Sequence, residues 1–287
     1  EDVLAERDRA VDGDIATLIR RRLDGLSGVD RQALEAAAVL GDRVDSRIWC
    51  ETLGTSPLDL AAVSARLISA RWLTQTATGN AFVHDNLRSA VYDQIDDAQL
   101  VAWHERATTA ITAHDPSNAR ALAYHFDRAG RARDAARAHR AAGRHLRREA
   151  AYSEALDSWH RALELLPRRA TRTRLEVGLE FIEVCDIIGG RAEQGAVLDD
   201  VIDDARRLHD DRALLRALLI AGGAAARGGD VAGAENSLAE ARELAAKLDD
   251  RAALADAAYR NADLLIQSGR WPEGRRAFAV ARELVDP

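Results

Sequence analysis

The sequence predicts a mainly α-helical (all-α) protein in which a small group of helices, closed by one β-hairpin, precedes a long array of helical hairpins. Three observations predict it. Apolar residues make up 47% of the 287 positions but aromatic ones only 5%, with alanine prominent, a composition suited to closely packed helices rather than a large sheet. Apolar residues recur at helical spacing over most of the chain, and strand character is confined to residues 72–84. Small residues repeat in register through the C-terminal half.

Residues 1–13 are charged, lack a steady apolar period, and read as the end of an upstream element. From there Ile15, Leu18, Ile19, Leu23 and Leu26 share one helical face, with Gly28 as the stop. Leu34, Ala37, Ala38 and Val39 mark a second helix, closed by Gly41-Asp42, and a short helix follows near 46–53. Ser56-Pro57 then sets an N-cap before a proline at the first helical position, and the helix it opens carries Leu60, Val63, Leu67 and Ile68. Trp72–Thr76 and Ala81–His84 read as strands joined by the turn Ala77-Thr78-Gly79-Asn80. Helices followed by a hairpin make a winged helix, assigned to 14–96. Its candidate DNA-reading helix, 57–70, offers Arg66 as its clear cation, beside Asp59, where phosphate binding draws on several Lys or Arg. No direct nucleic-acid contact is expected.

Connecting helices occupy 97–130. Ahead of them, at the end of the winged-helix stretch, Leu87, Val91 and Ile95 line a helix that Asp85 would cap. Leu100, Val101, His104, Ala107, Thr108 and Ile111 line the next, ending near Pro116; Leu122, Ala123 and Phe126 line a third, stopping at Gly130. His104 and His125 read as buried, hydrogen-bonded residues rather than metal ligands, since neither has a second ligating residue at i+4.

Residues 131–287 read as the repeat array. With Gly143, Gly222 and Ala262 taken as equivalent, nine positions later come Tyr152, Val231 and Trp271, twelve later Ala155, Ala234 and Gly274, and nineteen later Ala162, Ala241 and Ala281. The intervals, 79 and 40, leave room for one degenerate repeat near Ala192, Gly195 and Ile202. The pattern is similar to that of tetratricopeptide repeats, whose small residues sit where paired helices cross. Such hairpins stack into a superhelix with a concave groove. Helical phase sets Arg216, Tyr259, Arg260 and Asp263 on that groove as the expected contacts for a protein, peptide or small effector, with Leu218 and Ala262 turned inward.

No catalytic set is present. The sequence has no G-x-S-x-G, H-E-x-x-H or paired C-x-x-C, and Gly223–Asp230 lacks the Lys and Ser or Thr of a phosphate loop, reading instead as a helix end. No metal site is expected: Cys50 and Cys185 stand far apart, and Asp199, Asp200, Asp203 and Asp204 read as a solvated face. A net charge of −7 argues against the whole chain coating nucleic acid or an anionic membrane. No apolar run approaches a membrane span, so a soluble, cytoplasmic protein is expected. Arg133, Arg137, Arg140, Arg144 and Arg147 form one basic stripe, read as an exposed face with an acidic partner as the alternative. The absence of methionine and the start at Glu1 suggest a piece of a longer protein.

Phe82, His84, Asp85, Arg88 and Tyr92 match an F-x-H-D-x-x-R-x-x-x-Y motif. The stretch resembles the end of the winged-helix domain in signal-transduction ATPases, including large ATP-binding regulators of the LuxR type. Trp103-His104 and Leu122–His125, up to Gly130, resemble the segment that follows it there. The resemblance covers roughly residues 15–165. It implies a non-catalytic regulatory section that relays binding on the repeats to a nucleotide domain upstream. It also implies that His84, with Asp85 and Arg88 beside it, senses the phosphates of ADP bound to that domain. ATP and ADP are thus implied for the parent protein, and no cofactor for this chain. The same module fused to a nucleotide cyclase, or a freestanding repeat scaffold, are the alternatives.

Overall fold

A computed structural model of the chain describes residues 19–77, 79–169, 171–189 and 194–285. Two units divide the chain, Glu1–Ala138 and His139–Pro287. The structure is mainly helical, with one three-stranded sheet. The upstream element 1–13, Ile15, Leu18, Thr78 and Ala192 lie outside the described residues.

In the first unit, residues 19–24 are helical, and Ile19 and Leu23 are buried. Gly28 does not stop this run but opens α1 (Gly28–Leu40). Ser27 is the reason: its side chain accepts the Asp30 N–H at 3.1 Å and caps the new helix. Leu34, Ala37, Ala38 and Val39 are buried along α1. There follow β1 (Arg43–Asp45), α2 (Ser46–Leu53), α3 (Pro57–Ser69), β2 (Leu73–Gln75) and β3 (Gly79–Phe82). Asp45 caps α2, and Ser56 caps α3 ahead of Pro57.

The sheet has the order β1-β3-β2 and is antiparallel throughout. A strand as short as β1 leaves no alternation for a sequence reading to detect. Its pairing with Gly79 and Asn80 draws both residues out of the expected turn and into β3. Gly79 suits this close approach, since a Cβ there would stand 2.0 Å from the Val44 carbonyl oxygen.

Trp49, Trp72 and Trp103 anchor the core of this unit together with Leu34 and Leu67. The Trp49 indole N–H is satisfied by the Ala33 carbonyl at 3.0 Å. Helices α4 (Asp85–Tyr92), α5 (Asp97–His114) and α6 (Ala119–Arg128) complete it. On α5, Trp103, His104, Ala107, Thr108 and Ile111 are buried. Val101, expected inward, is 41% exposed because it stands about 100° off that stripe.

Helices α7 (Ala132–Arg148) with α8 (Tyr152–Leu165), α9 (Thr171–Ile187) with α10 (Gln194–Arg207), α11 (Asp211–Arg227) with α12 (Val231–Lys247), and α13 (Arg251–Gln267) with α14 (Trp271–Val285) form successive hairpins. Tyr152, Val231 and Trp271 are each the first residue of a second helix. Ala155, Ala162, Ala234 and Ala241 are wholly buried. A Cβ on Gly143 would meet the Trp159 ring at 2.5 Å, and one on Gly222 would meet Leu238 at 2.6 Å, so the crossing helices demand small residues.

In the second hairpin the position in register with Gly143 and Gly222 is Ile182, fully buried, and the close approach has moved one turn back to Gly178 against Val201. Gly195, expected to mark this repeat, is exposed with nothing near it, and Ile202 is only partly buried. Among the described residues, the turn inside each hairpin places one at positive φ: Ala150, Gly189, Gly229 and Gly269. Asp210, Asp230 and Asp250 cap the helices that follow them. The glycine-rich stretch 223–230 is therefore a helix end, a turn and a cap.

Successive first helices α9, α11 and α13 touch one another, whereas the second helices do not come as close. The first helices therefore line the inner side of the stack. No described helix is long and apolar enough to cross a membrane.

Candidate functional site

Phe82, 6% exposed, ends β3 in the core, and Leu87, Val91 and Ile95 return the chain to it at helical spacing. The intervening residues 83–86 are thereby held at the surface. His84 is exposed and extended (φ −146°, ψ 142°) at the cap position of α4, and its ring makes no capping bond. Asp85, expected as the cap, is instead the first helical residue, where a negative charge suits the helix dipole. Arg88 is engaged: its guanidinium bridges to Asp42 and donates to the Ala38 carbonyl at 3.4 Å.

The outward face of α3 carries Leu58 (80% exposed), Ala61, Ala62 and Ala65. Its cation, Arg66, is held by Asp30 at 2.7 and 3.0 Å. That pairing first, with the Ser27 hydroxyl, keeps the Asp30 carboxyl below its ordinary range against the effect of burial. A groove of about 820 Å³ between α2, α3 and the hairpin is lined by Ser46, Cys50, Leu60, Ala61, Ala65 and Ile68 among others.

Two histidines 21 residues apart meet inside this unit. His104 Nδ1 lies 2.9 Å from His125 Nδ1, and His104 Nε2 lies 3.0 Å from the Tyr92 hydroxyl. The Nδ1 pair needs one donor and one acceptor, so the two rings cannot both be protonated, and when both are neutral their tautomers are linked. Burial lowers the His104 pKa to about 4, aided by the Arg128 charge, and that of His125 to about 3, aided by His104. Burial, then the neighbouring Tyr124 phenol, raises Tyr92 to about 12. The buried, hydrogen-bonded character of both histidines was legible, but their pairing was not. Among the described residues, no three of His, Cys, Asp and Glu gather as a metal site.

In the second unit an acidic row on α9 organises the inner face. Glu176, Glu180, Glu183 and Asp186 follow one another at i, i+4, i+7 and i+10 and so share a stripe. Arg140 bonds Glu176 at 2.6 Å and Glu180 at 2.7 Å; Arg144 bonds Glu180 at 2.6 Å, and Arg147 meets Glu183 at 3.3 Å. From the other side Arg216 bonds Glu183, while Arg227 and Arg260 bond Asp186 at 3.0 and 3.2 Å. Three members of the basic stripe are thus paired across helices, whereas in the first unit Arg133 is exposed and Arg137 lies 3.6 Å from Asp134. The i, i+4, i+7, i+10 spacing of the acids was the available signal for the row.

Of the expected partner contacts, Arg216, Tyr259 and Asp263 are exposed. Leu218 and Ala262 are buried, as their helical phase implied. Arg260 is committed within the chain, to Asp256 at 3.0 Å as well as Asp186, and its guanidinium lies over Gly223. Tyr259 packs edge-on against Phe278. Within the acidic patch, Asp200 pairs with Arg168 and Arg174, and Asp204 is 7% exposed beside Arg207, its pKa raised by burial. That patch is therefore only partly a solvated face.

No protein-family model and no curated protein matches the sequence. Among solved structures, the chain is similar to the crystal structure of a signal-transduction ATPase with numerous domains and a tetratricopeptide repeat sensor from Pyrococcus horikoshii, at 11% identity and a TM-score of 0.43. The similarity covers 94% of this chain and 46% of that one, so the chain spans about half the length of the protein it matches.

Proposed function

We propose that the chain is a regulatory, non-catalytic section of a signal-transduction ATPase, with a bacterial LuxR-type transcription regulator as the parent. In this reading the first unit is a winged helix that rests against a nucleotide domain, and the repeats take the partner or effector whose binding is relayed to it. The observation that carries the reading is local. The order helix, strand, helix, helix, strand, strand, with β1 added to the hairpin, supports a winged-helix reading, and it runs directly into an exposed His84 at the head of α4.

The residues fit an ADP diphosphate in part. An exposed imidazole with no capping role suits donation to a phosphate oxygen. Asp85 would repel that oxygen, and Arg88 is held by Asp42. His84 is therefore the sensor in this proposal, with the other two as its structural neighbours. The chain has no phosphate loop, so the nucleotide belongs to another domain.

A DNA-reading role for the winged helix finds no support on α3. Its exposed face carries small apolar residues and the acidic Asp59, and its cation Arg66 is paired with Asp30. In the parent protein His84→Ala should speed release of labelled ADP and raise basal activity. ADP retention indistinguishable from wild type would refute the sensor role.

A further inference from the structure

We propose that the inner face of the repeats, at Arg144, Arg147, Arg216 and Arg227, binds an acidic peptide. The proposal rests on the reading of the repeats as the partner-binding part of the chain and names the chemistry of that partner. Two features of the face carry it.

The first is the layering of charge. Glu180 is shared by Arg140 and Arg144, Glu183 by Arg147 and Arg216, and Asp186 by Arg227 and Arg260. The three carboxylate side chains are only 15%, 20% and 18% exposed. The side chains of Arg144, Arg147, Arg216 and Arg227 are 53%, 40%, 54% and 39% exposed. Cations therefore reach solvent while the anions that hold them lie beneath. Each guanidinium has more N–H donors than its shared carboxylate takes up, and the bond below holds it in place on a side chain that reaches solvent. Such pre-orientation lowers the entropy cost of receiving a further carboxylate.

The second feature decides between a peptide and a polyanion. Ile187, 57% exposed, stands one turn beyond Glu183 on the same stripe of α9, and Ile188 beside it is 42% exposed. An apolar side chain among the guanidiniums suits a chain that alternates acidic and apolar residues. A continuous phosphate backbone would leave it uncovered and would pass close over the partly buried carboxylates.

The test uses the whole chain and fluorescence anisotropy with a labelled peptide of alternating Glu and Leu, its Lys-for-Glu counterpart, and single-stranded oligothymidylate. The acidic peptide is expected to bind, more weakly as salt rises, and the Lys peptide not to bind. The double variant Arg144→Glu, Arg216→Glu should weaken acidic-peptide binding by roughly tenfold or more, since charge-assisted bonds are lost. Arg144→Lys with Arg216→Lys keeps the charge and the fold and should lose less, and Arg242→Glu on the outer helix α12 should change nothing. Equal binding of the Lys peptide, tighter binding of oligothymidylate, or unchanged affinity in the folded double variant would overturn the proposal. ADP-dependent docking through His84 is read separately and does not involve these arginines, so the peptide site can fail with the proposed function intact.

Discussion

Gly143→Ala isolates the claim that small residues specify the repeat crossings. The added Cβ would sit 2.5 Å from Trp159 Nε1 and 2.7 Å from Cδ1 and Cε2, where carbon contacts normally stand about 3.5–4 Å apart. The ring must retreat by about 1 Å, yet Trp159 is fully buried and its indole N–H donates to the Arg140 carbonyl at 3.3 Å. Overpacking of this kind costs about 1–3 kcal/mol, and the strained hydrogen bond up to about 1 kcal/mol more. Alanine's better helix propensity returns about 1 kcal/mol. The net expectation is a loss of up to about 3 kcal/mol, centred on about 1.5 kcal/mol. Gly195→Ala is the control, because nothing lies within 4 Å of its added methyl. Amide hydrogen exchange over residues 152–165 reads the second unit alone, which matters because two units need not unfold together. Undiminished protection in Gly143→Ala, or a larger loss in Gly195→Ala, would refute the reasoning.

Ala150→Gly should stabilise the first hairpin turn by about 0.5–1 kcal/mol, since Ala150 holds φ 59° where later turns have glycine; a lower denaturation midpoint would contradict this. Acid should weaken the first unit. His104 and His125 titrate near 6.5 when unfolded but at about 4 and about 3 when folded, so stability is full above pH 6.5 and falls as pH drops towards those values. Across about pH 7 to 5 the loss from the pair is about 2–4 kcal/mol, and His125→Asn should flatten that dependence in denaturation measured at each pH; an unchanged slope would argue against the neutral pair. Calorimetry of the chain with ATP should register no tight binding, and micromolar affinity would sink the assignment of nucleotide to another domain.

The fold was legible where one residue type has one physical use. Ser56-Pro57 marked a helix start because proline lacks the N–H that a first turn leaves unpaired, and Gly143 and Gly222 marked crossings because only a missing side chain lets helices approach. Legibility failed where neighbours decide. Gly28 was equally good as an end or a start until Ser27 took up the Asp30 N–H. The second hairpin hid its register because Ile182 fills the place of a small residue, moving the crossing to Gly178. His84 is held at the surface by the apolar residues that bracket it, a placement suggested in the sequence only by the F-x-H-D resemblance. The fixing of Arg88 by Asp42, of Arg66 by Asp30 and of Arg260 by Asp186 joins residues distant in sequence, and no local pattern announces such partners.

The central claim, that this section reads the nucleotide state of an ATPase through His84, is met most directly by calorimetry. The chain is titrated with the phosphate-loop domain of a signal-transduction ATPase, loaded with ADP or empty. The account predicts binding to the ADP-loaded domain, weakened by roughly tenfold or more in His84→Ala because a bond to a charged phosphate is lost. Equal affinity for the loaded and empty domains, or for wild type and His84→Ala, would contradict it.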